Sequence, residues 1–260
     1  MYINQTRLVE AENIIINSFK FIEGDASSFN HLGIIYMRTG RSHQALKIFE
    51  HALAFDPFKI ETYFNITACL SSLSRNLDAF HYALEAIKLD PSSSPAYNNL
   101  GTTLNSLAKF EEAQVAFETA YELNPNNVES LVNIGSLKVR FGHIHDGLEI
   151  FEKAIKKLPK NSKTQAGVIK FLASFEYFKT GNLKKAWEYY EHGFHPNIPG
   201  GNARAPNRKF NKPVWNLSCD KNKPVLLWKE QGLGDQLMFM TCIHDFKKLA
   251  KNIIIECDYR

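Results

Sequence analysis

The sequence has no apolar run approaching the roughly 20 residues a membrane-crossing helix needs. Near the start, Met1–Glu10 is polar and the apolar stretch Ile14–Ile16 is far too short for a secretory leader, so neither a membrane span nor export is expected. Cysteine is scarce. Cys69, Cys219, Cys242 and Cys257 form no C-x-x-C pair and fit no zinc spacing, as expected for reduced thiols in a cytoplasmic protein with no metal site. Excess charge is also small. A formal net charge of +4 and an isoelectric point near 8.7 fall short of the clustered basic stripe of a nucleic-acid binder, so a nucleic-acid partner is not expected.

Apolar residues are plentiful, at 44% of 260, enough to pack one or two domains. They are arranged periodically. Pro57, Pro91, Pro125 and Pro159 lie 34 residues apart. The same register holds Leu32-Gly33, Ile66-Thr67, Leu100-Gly101 and Ile134-Gly135, then Ala45, Ala79, Ala113 and Gly147. It also holds Phe49, Ala83, Phe117 and Phe151, and Ala52, Ala86, Ala120 and Ala154. Phe29, Tyr63, Tyr97 and Leu131 open the units. A period of this length marks a solenoid of supersecondary units, none of which buries its apolar face alone. Small residues belong where two helices cross closely, the larger rings fill the wider gaps, and each proline stops the preceding helix.

This pattern resembles the tetratricopeptide repeat. The resemblance implies an all-α fold, a right-handed superhelix of helix-turn-helix units, with repeats at 26–59, 60–93, 94–127 and 128–161. Ala11 lies 34 residues before Ala45, so residues 7–23 read as the second helix of a unit whose first helix is missing. After Pro159 the register slips, and residues 163–193 read as a divergent unit with helices near Lys163–Thr180 and Leu183–Gly193. The solenoid is thus expected over residues 1–194. Its incomplete ends could pair with another chain, which keeps a self-assembling scaffold open as a reading.

The first helix of each unit is expected to line the concave face, where such repeats hold a protein or peptide. One column there is His31, Asn65, Asn99 and Asn133, the residues just before each Leu/Ile-Gly/Thr step. An amide both donates and accepts, so a ladder of amides can pair with a peptide main chain without reading its side chains. The column resembles the asparagine ladder of O-linked N-acetylglucosamine transferases, which implies peptide binding at His31, Asn65, Asn99 and Asn133. Asparagine at this place can equally serve only to cap or solvate the helix. A carboxylate clamp of the chaperone-binding kind needs Lys and Arg on these helices, which offer Ser27, Asn30, Glu61, Asn65, Asn98 and Glu129 instead. His143 and His145 read as residues of a solvated turn between two helices.

Composition changes after Gly193. Pro196, Pro199, Gly200, Gly201, Pro206 and Pro213, with Arg204, Arg208, Lys209 and Lys212, mark a linker over 195–223. From Pro224 the pattern becomes α/β: a strand run Val225–Trp228, a glycine-rich turn, a helix over Gln236–Lys251 and a second strand at Ile253–Cys257. The full G-x-G-x-x-G fingerprint of a dinucleotide site is absent. The stretch Phe210…Pro213-x-Trp215…Leu226-Leu227-Trp228-x-Glu230-Gln231-Gly232-Leu233-Gly234-Asp235…Phe239 resembles the start of the glycosyltransferase module that follows tetratricopeptide repeats in many bacterial proteins. Those modules are similar to heptosyltransferases, with a two-Rossmann GT-B fold. The resemblance implies that Glu230, Gln231, Gly232 and Gly234 form a substrate loop and that Asp235 is a general base for the acceptor hydroxyl. Asp235 also stands where a helix N-cap is expected, and that alternative remains. The chain ends at Arg260, before the second domain in which such enzymes hold a nucleotide-sugar donor. Residues 224–260 are therefore expected to be an incomplete Rossmann-like segment, with no catalysis and no cofactor in these 260 residues alone. The sequence points to a peptide-binding scaffold, the recruiting arm of a glycosyltransferase. The runner-up is a fragment of the enzyme itself.

Overall fold

The computed structural model describes residues 2–18, 25–194, 223–227, 243–250 and 252–255. They fall in two compact units, Met1–Leu158 and Pro159–Arg260. The first unit is helical. It opens with α1 (Tyr2–Ser18) and continues as four helix pairs: α2 (Ala26–Arg38) with α3 (Ser42–Phe55), α4 (Ile60–Ser72) with α5 (Asn76–Leu89), α6 (Ser94–Ser106) with α7 (Phe110–Leu123), and α8 (Val128–Arg140) with α9 (Ile144–Lys157). Every first helix has 13 residues and every second helix 14. The architecture is the helix-turn-helix solenoid expected from the periodicity.

Each pair is set by one close crossing. A side chain added at Gly101 would place its Cβ 2.6 Å from the Phe117 ring, and one at Gly135 would come within 2.9 Å of Phe151. The same holds for Gly33 against Phe49. The second pair reverses the sizes, with Thr67 on the first helix and Ala83 on the second, both buried. Gly147 is glycine for a related reason, since a Cβ there would meet Val139 and stand 2.8 Å from the Gly135 carbonyl oxygen. Interiors packed this tightly tolerate little added volume.

The turns repeat as faithfully as the helices. Gly40, Ser74, Ala108 and Gly142 occupy one register position, and all four are left-handed, with φ of 77°, 59°, 59° and 87°. Ser74 and Ala108 hold that conformation against the steric cost of a Cβ, about 1–2 kcal/mol. Between units, Asp56, Asp90 and Asn124 close the second helices. Their side chains accept from the backbone N–H two residues on, at Phe58, Ser92 and Asn126. Pro57, Pro91 and Pro125 follow at once and prevent the helices from continuing. Ser93 and Asn127 then cap α6 and α8 by accepting from Ala96 and Ser130.

α1 begins at Tyr2, earlier than the sequence pattern suggested, because the apolar spacing carries no start signal there. It packs on α2 and is tied down by a two-pronged ion pair. Arg41 Nη1 and Nη2 donate to Glu12 Oε1 and Oε2 at 2.8 and 2.5 Å, and the guanidinium lies 4.2 Å from the centre of the Tyr36 ring. The hydrogen bonds from Arg41 hold the Glu12 carboxyl below its usual range. Residues 19–23 of the expected half-unit lie outside the described residues.

In the second unit, α10 (Lys163–Lys179) pairs with α11 (Leu183–Tyr190), followed by a short 3-10 turn, Glu191–Phe194. Edge-on aromatic contacts join them, with Phe178 and Trp187 ring centres 4.9 Å apart. The compact boundary at Leu158 separates this pair, the divergent unit of the sequence pattern, from the four regular ones. Further on, β1 (Val225–Leu227) and β2 (Ile253–Ile255) pair in parallel, Val225 opposite Ile253, and α12 (Ile243–Leu249) lies between them in the chain. This is the β-α-β order expected from Pro224 onward, with shorter described elements. The linker 195–222 lies outside the described residues.

The size pairing gives a sharp test. Gly101→Ala is expected to lower the unfolding free energy by about 1–3 kcal/mol in a denaturant titration. Gly101→Thr combined with Phe117→Ala, which copies the second pair, should recover part of the loss of either change alone. Wild-type stability in Gly101→Ala would show that the crossing is not close.

Candidate peptide-binding groove

First helices touch first helices across the units, α2 with α4, α4 with α6 and α6 with α8, whereas consecutive second helices make no comparable contact. In a stacked array, the layer with the closer neighbours is the inner, more tightly curved one. The first helices therefore line the concave side of this unit, and the asparagine column runs along it.

The column is not uniform. Asn65, on α4, donates from Nδ2 to Oδ1 of Asn30 at 3.0 Å, and Asn30 in turn donates to Thr62 Oγ1 at 2.8 Å. Asn133, on α8, donates in the same way to Oδ1 of Asn98 at 3.1 Å. Asn30 and Asn98 are only 5% and 3% exposed, so each of these bonds anchors a groove amide to the floor beneath it. Asn99, on α6, makes no side-chain hydrogen bond among the described residues and is half-buried. The reason lies in the sequence. The residue 35 positions before Asn65 is Asn30, and before Asn133 it is Asn98, but before Asn99 it is Phe64. His31, on α2, is exposed.

The structure thus brings Asn65, Asn99 and Asn133 onto successive first helices and adds two residues the column had not included. Asn30 and Asn98 alternate with Phe64 and Val132, so they do not recur every 34 residues and escape a search for one period. Their visible signal was polarity at a buried register position.

Three hydroxyls beside the amides are already engaged, whereas Thr67 Oγ1 and Ser130 Oγ are buried without a partner among the described residues. Thr102, Thr103 and Ser136 each donate to the carbonyl four residues back in their own helix. Beside them, the Asn99 amide makes no side-chain hydrogen bond among the described residues. Cys69 is no nucleophile: it is fully buried, burial pushes its thiol up, and its Sγ–H points at the Ser42 carbonyl. His143 is not in mid-turn as the pattern suggested. It immediately precedes α9, and His145 is the second residue inside that helix, both exposed. Among the described residues no group of three His, Cys, Asp or Glu side chains could hold a metal ion, and no helix is long and apolar enough to cross a membrane. Glu230, Gln231, Gly232, Gly234 and Asp235, the substrate loop and base implied by the glycosyltransferase resemblance, lie outside the described residues.

The buried anchors make opposite demands on two neighbouring asparagines. Asn65→Ala should cost about 0.5–1.5 kcal/mol of stability, since it leaves the Asn30 acceptor without its donor. Asn99→Ala should leave the thermal midpoint within a degree or so of wild type. Equal effects of the two changes in matched thermal melts would contradict the anchoring.

Comparison with known proteins agrees with the repeat fold. Tetratricopeptide repeat family models match residues 26–55 and 82–115. No curated protein matches the chain. Among solved structures, a tetratricopeptide-repeat protein of Thermus thermophilus is 17% identical, with 70% of this chain and 96% of that one covered, at a TM-score of 0.60. PilF of Pseudomonas aeruginosa is 17% identical over 74% of this chain and 86% of its own, at 0.56. A chain of the Cut9–Hcn1 hetero-tetramer of APC/C is 15% identical over 78% of this chain but 39% of its own, at 0.67. At these identities the likeness speaks for the fold. The chain carries tetratricopeptide repeats in a helix-turn-helix solenoid, a scaffold suited to protein binding.

Proposed function

We propose that the groove of the first unit holds an extended, uncharged segment of a partner protein, gripped by its main chain through Asn65, Asn99 and Asn133. The observation that carries this reading is Asn99, a half-buried amide on the concave layer with no partner among the described residues, in line with two amides already fixed in place. An extended chain carries N–H and C=O groups along its whole length, and amides are the side chains able to answer both. The hydroxyls of Thr102, Thr103 and Ser136 are already satisfied within their helices. Glu61 and Glu129 lie in the first turns of α4 and α8, so an acidic group bound at that end of the helices would meet carboxylates, while the cations Arg38, Lys138 and Arg140 lie in last turns. His31, exposed at the start of the column, would meet one end of the bound segment.

The test begins with a twelve-residue peptide selected on the wild-type chain from a displayed random library. Asn65→Ala, Asn99→Ala and Asn133→Ala together should weaken its binding at least about tenfold, since each amide contributes about 0.5–1.5 kcal/mol. Unchanged affinity in a direct titration would remove the reading.

A second reading places this groove in a glycosyltransferase, as the arm that recruits the protein to be modified. It is favoured by the parallel β1–β2 pair with a helix between its strands, the order in which a Rossmann-type domain begins. In that reading Glu230, Gln231, Gly232 and Gly234 approach the acceptor, Asp235 takes its hydroxyl proton, and a nucleotide sugar bound in a further domain supplies the sugar. Complete parent enzyme incubated with a labelled nucleotide sugar should label the captured partner, and Asp235→Ala should not. No label from the unmutated parent would discard it.

A further inference from the structure

The two anchored amides differ from the free one in more than hydrogen-bond count. Asn65 and Asn133 each have their amide plane fixed by a buried acceptor, Asn30 Oδ1 at 3.0 Å and Asn98 Oδ1 at 3.1 Å. Asn30 is itself fixed by donating to the fully buried Thr62. With the plane fixed, the carbonyl oxygen and the second N–H of each groove amide face one direction before any ligand arrives. Binding at Asn99 must first order its side chain, a cost the other two have met on folding.

We propose, on the reading that the groove binds peptide, that Asn30 and Asn98 are positioning residues. They preset Asn65 and Asn133 as the primary grips, two units apart, and leave Asn99 as an adaptable contact between them. If successive first helices lie about 10 Å apart, the upper end of ordinary helix packing, the two grips are about 20 Å apart. An extended chain rises about 3.3 Å per residue, so the fixed contacts fall about six residues apart on the ligand. The ligand class is then an extended segment whose main-chain groups are open at two points about six residues apart. What stands between them matters less.

The protein supplies its own control substitutions. Val132 and Phe64 occupy the register positions of Asn98 and Asn30 in the other two units, so an apolar residue there is compatible with the fold. Asn98→Val is therefore expected to fold and to free the Asn133 amide. Two readouts follow, on full-length chain and the selected twelve-residue peptide. In the free protein, the side-chain N–H signals of Asn65 and Asn133 should exchange with solvent more slowly than those of Asn99, and Asn98→Val should bring Asn133 to the Asn99 rate while Asn65 stays slow. In the titration, Asn98→Val should weaken binding about 3- to 10-fold, the ordering cost of one side chain, with the thermal midpoint little changed. N-methylation of two peptide bonds six residues apart should abolish binding, and methylation of a single bond between them should be tolerated. If Asn133→Ala weakens binding while Asn98→Val does not, the positioning role is overturned and the groove reading stands. If neither Asn133→Ala nor Asn65→Ala has an effect, the groove reading itself fails. Equal exchange rates for all three amides in the free protein would overturn the anchoring on which the proposal rests.

Discussion

The structure depends on one steric constraint, the close crossing inside each helix pair. In three of the four regular pairs the first helix carries glycine and a phenylalanine ring from the second fills the space, at Gly33 and Phe49, Gly101 and Phe117, and Gly135 and Phe151. Where the ring is absent, at Ala83, the facing register position carries the larger Thr67. The larger residue on the first helix offsets part of the volume that the missing ring would fill. With that distance fixed, the four pairs of the first unit have nearly the same shape, with first helices of 13 and second helices of 14 residues, and the pairs stack. Stacking in turn brings first helices against first helices and makes the concave layer along which the asparagines run.

On the proposed reading, binding depends on what that layer leaves unsatisfied. A helical surface normally satisfies its own backbone, so anything that binds it must find side chains with hydrogen-bonding capacity to spare. Here Thr102, Thr103 and Ser136 are tied to their own helices, Asn65 and Asn133 are anchored to buried amides, and Asn99 makes no side-chain hydrogen bond among the described residues. A groove of amides would grip a main chain without selecting a side chain. The ion pair of Arg41 with Glu12 works at the other end of the same unit and holds α1 over the first pair.

Much of the architecture was legible because proline, glycine and alanine act locally and recur at one spacing. Pro57, Pro91 and Pro125 stop helices whatever surrounds them, and Ala45, Ala79 and Ala113 are small for the same reason in each unit. The candidate site was only half legible. The column Asn65, Asn99 and Asn133 obeys the repeat, so it stood out. The anchors Asn30 and Asn98 recur every second unit, and the bonds they accept cross from one helix to the next unit, so their 35-residue separation gains its meaning only once the helices are stacked. The left-handed turns were masked in a similar way. Gly40 and Gly142 advertise them, but Ser74 and Ala108 adopt the same φ without glycine.

The central claim is that ligand lies on the inner layer of first helices, against the asparagine column. A titration of isotope-labelled chain with the selected peptide, followed by the side-chain amide signals of asparagine, tests it most directly. The account predicts saturable shifts at Asn65, Asn99 and Asn133, with Asn126 and Asn161, in the loops that follow the second helices, unmoved. Shifts confined to those loops and the second helices would contradict it.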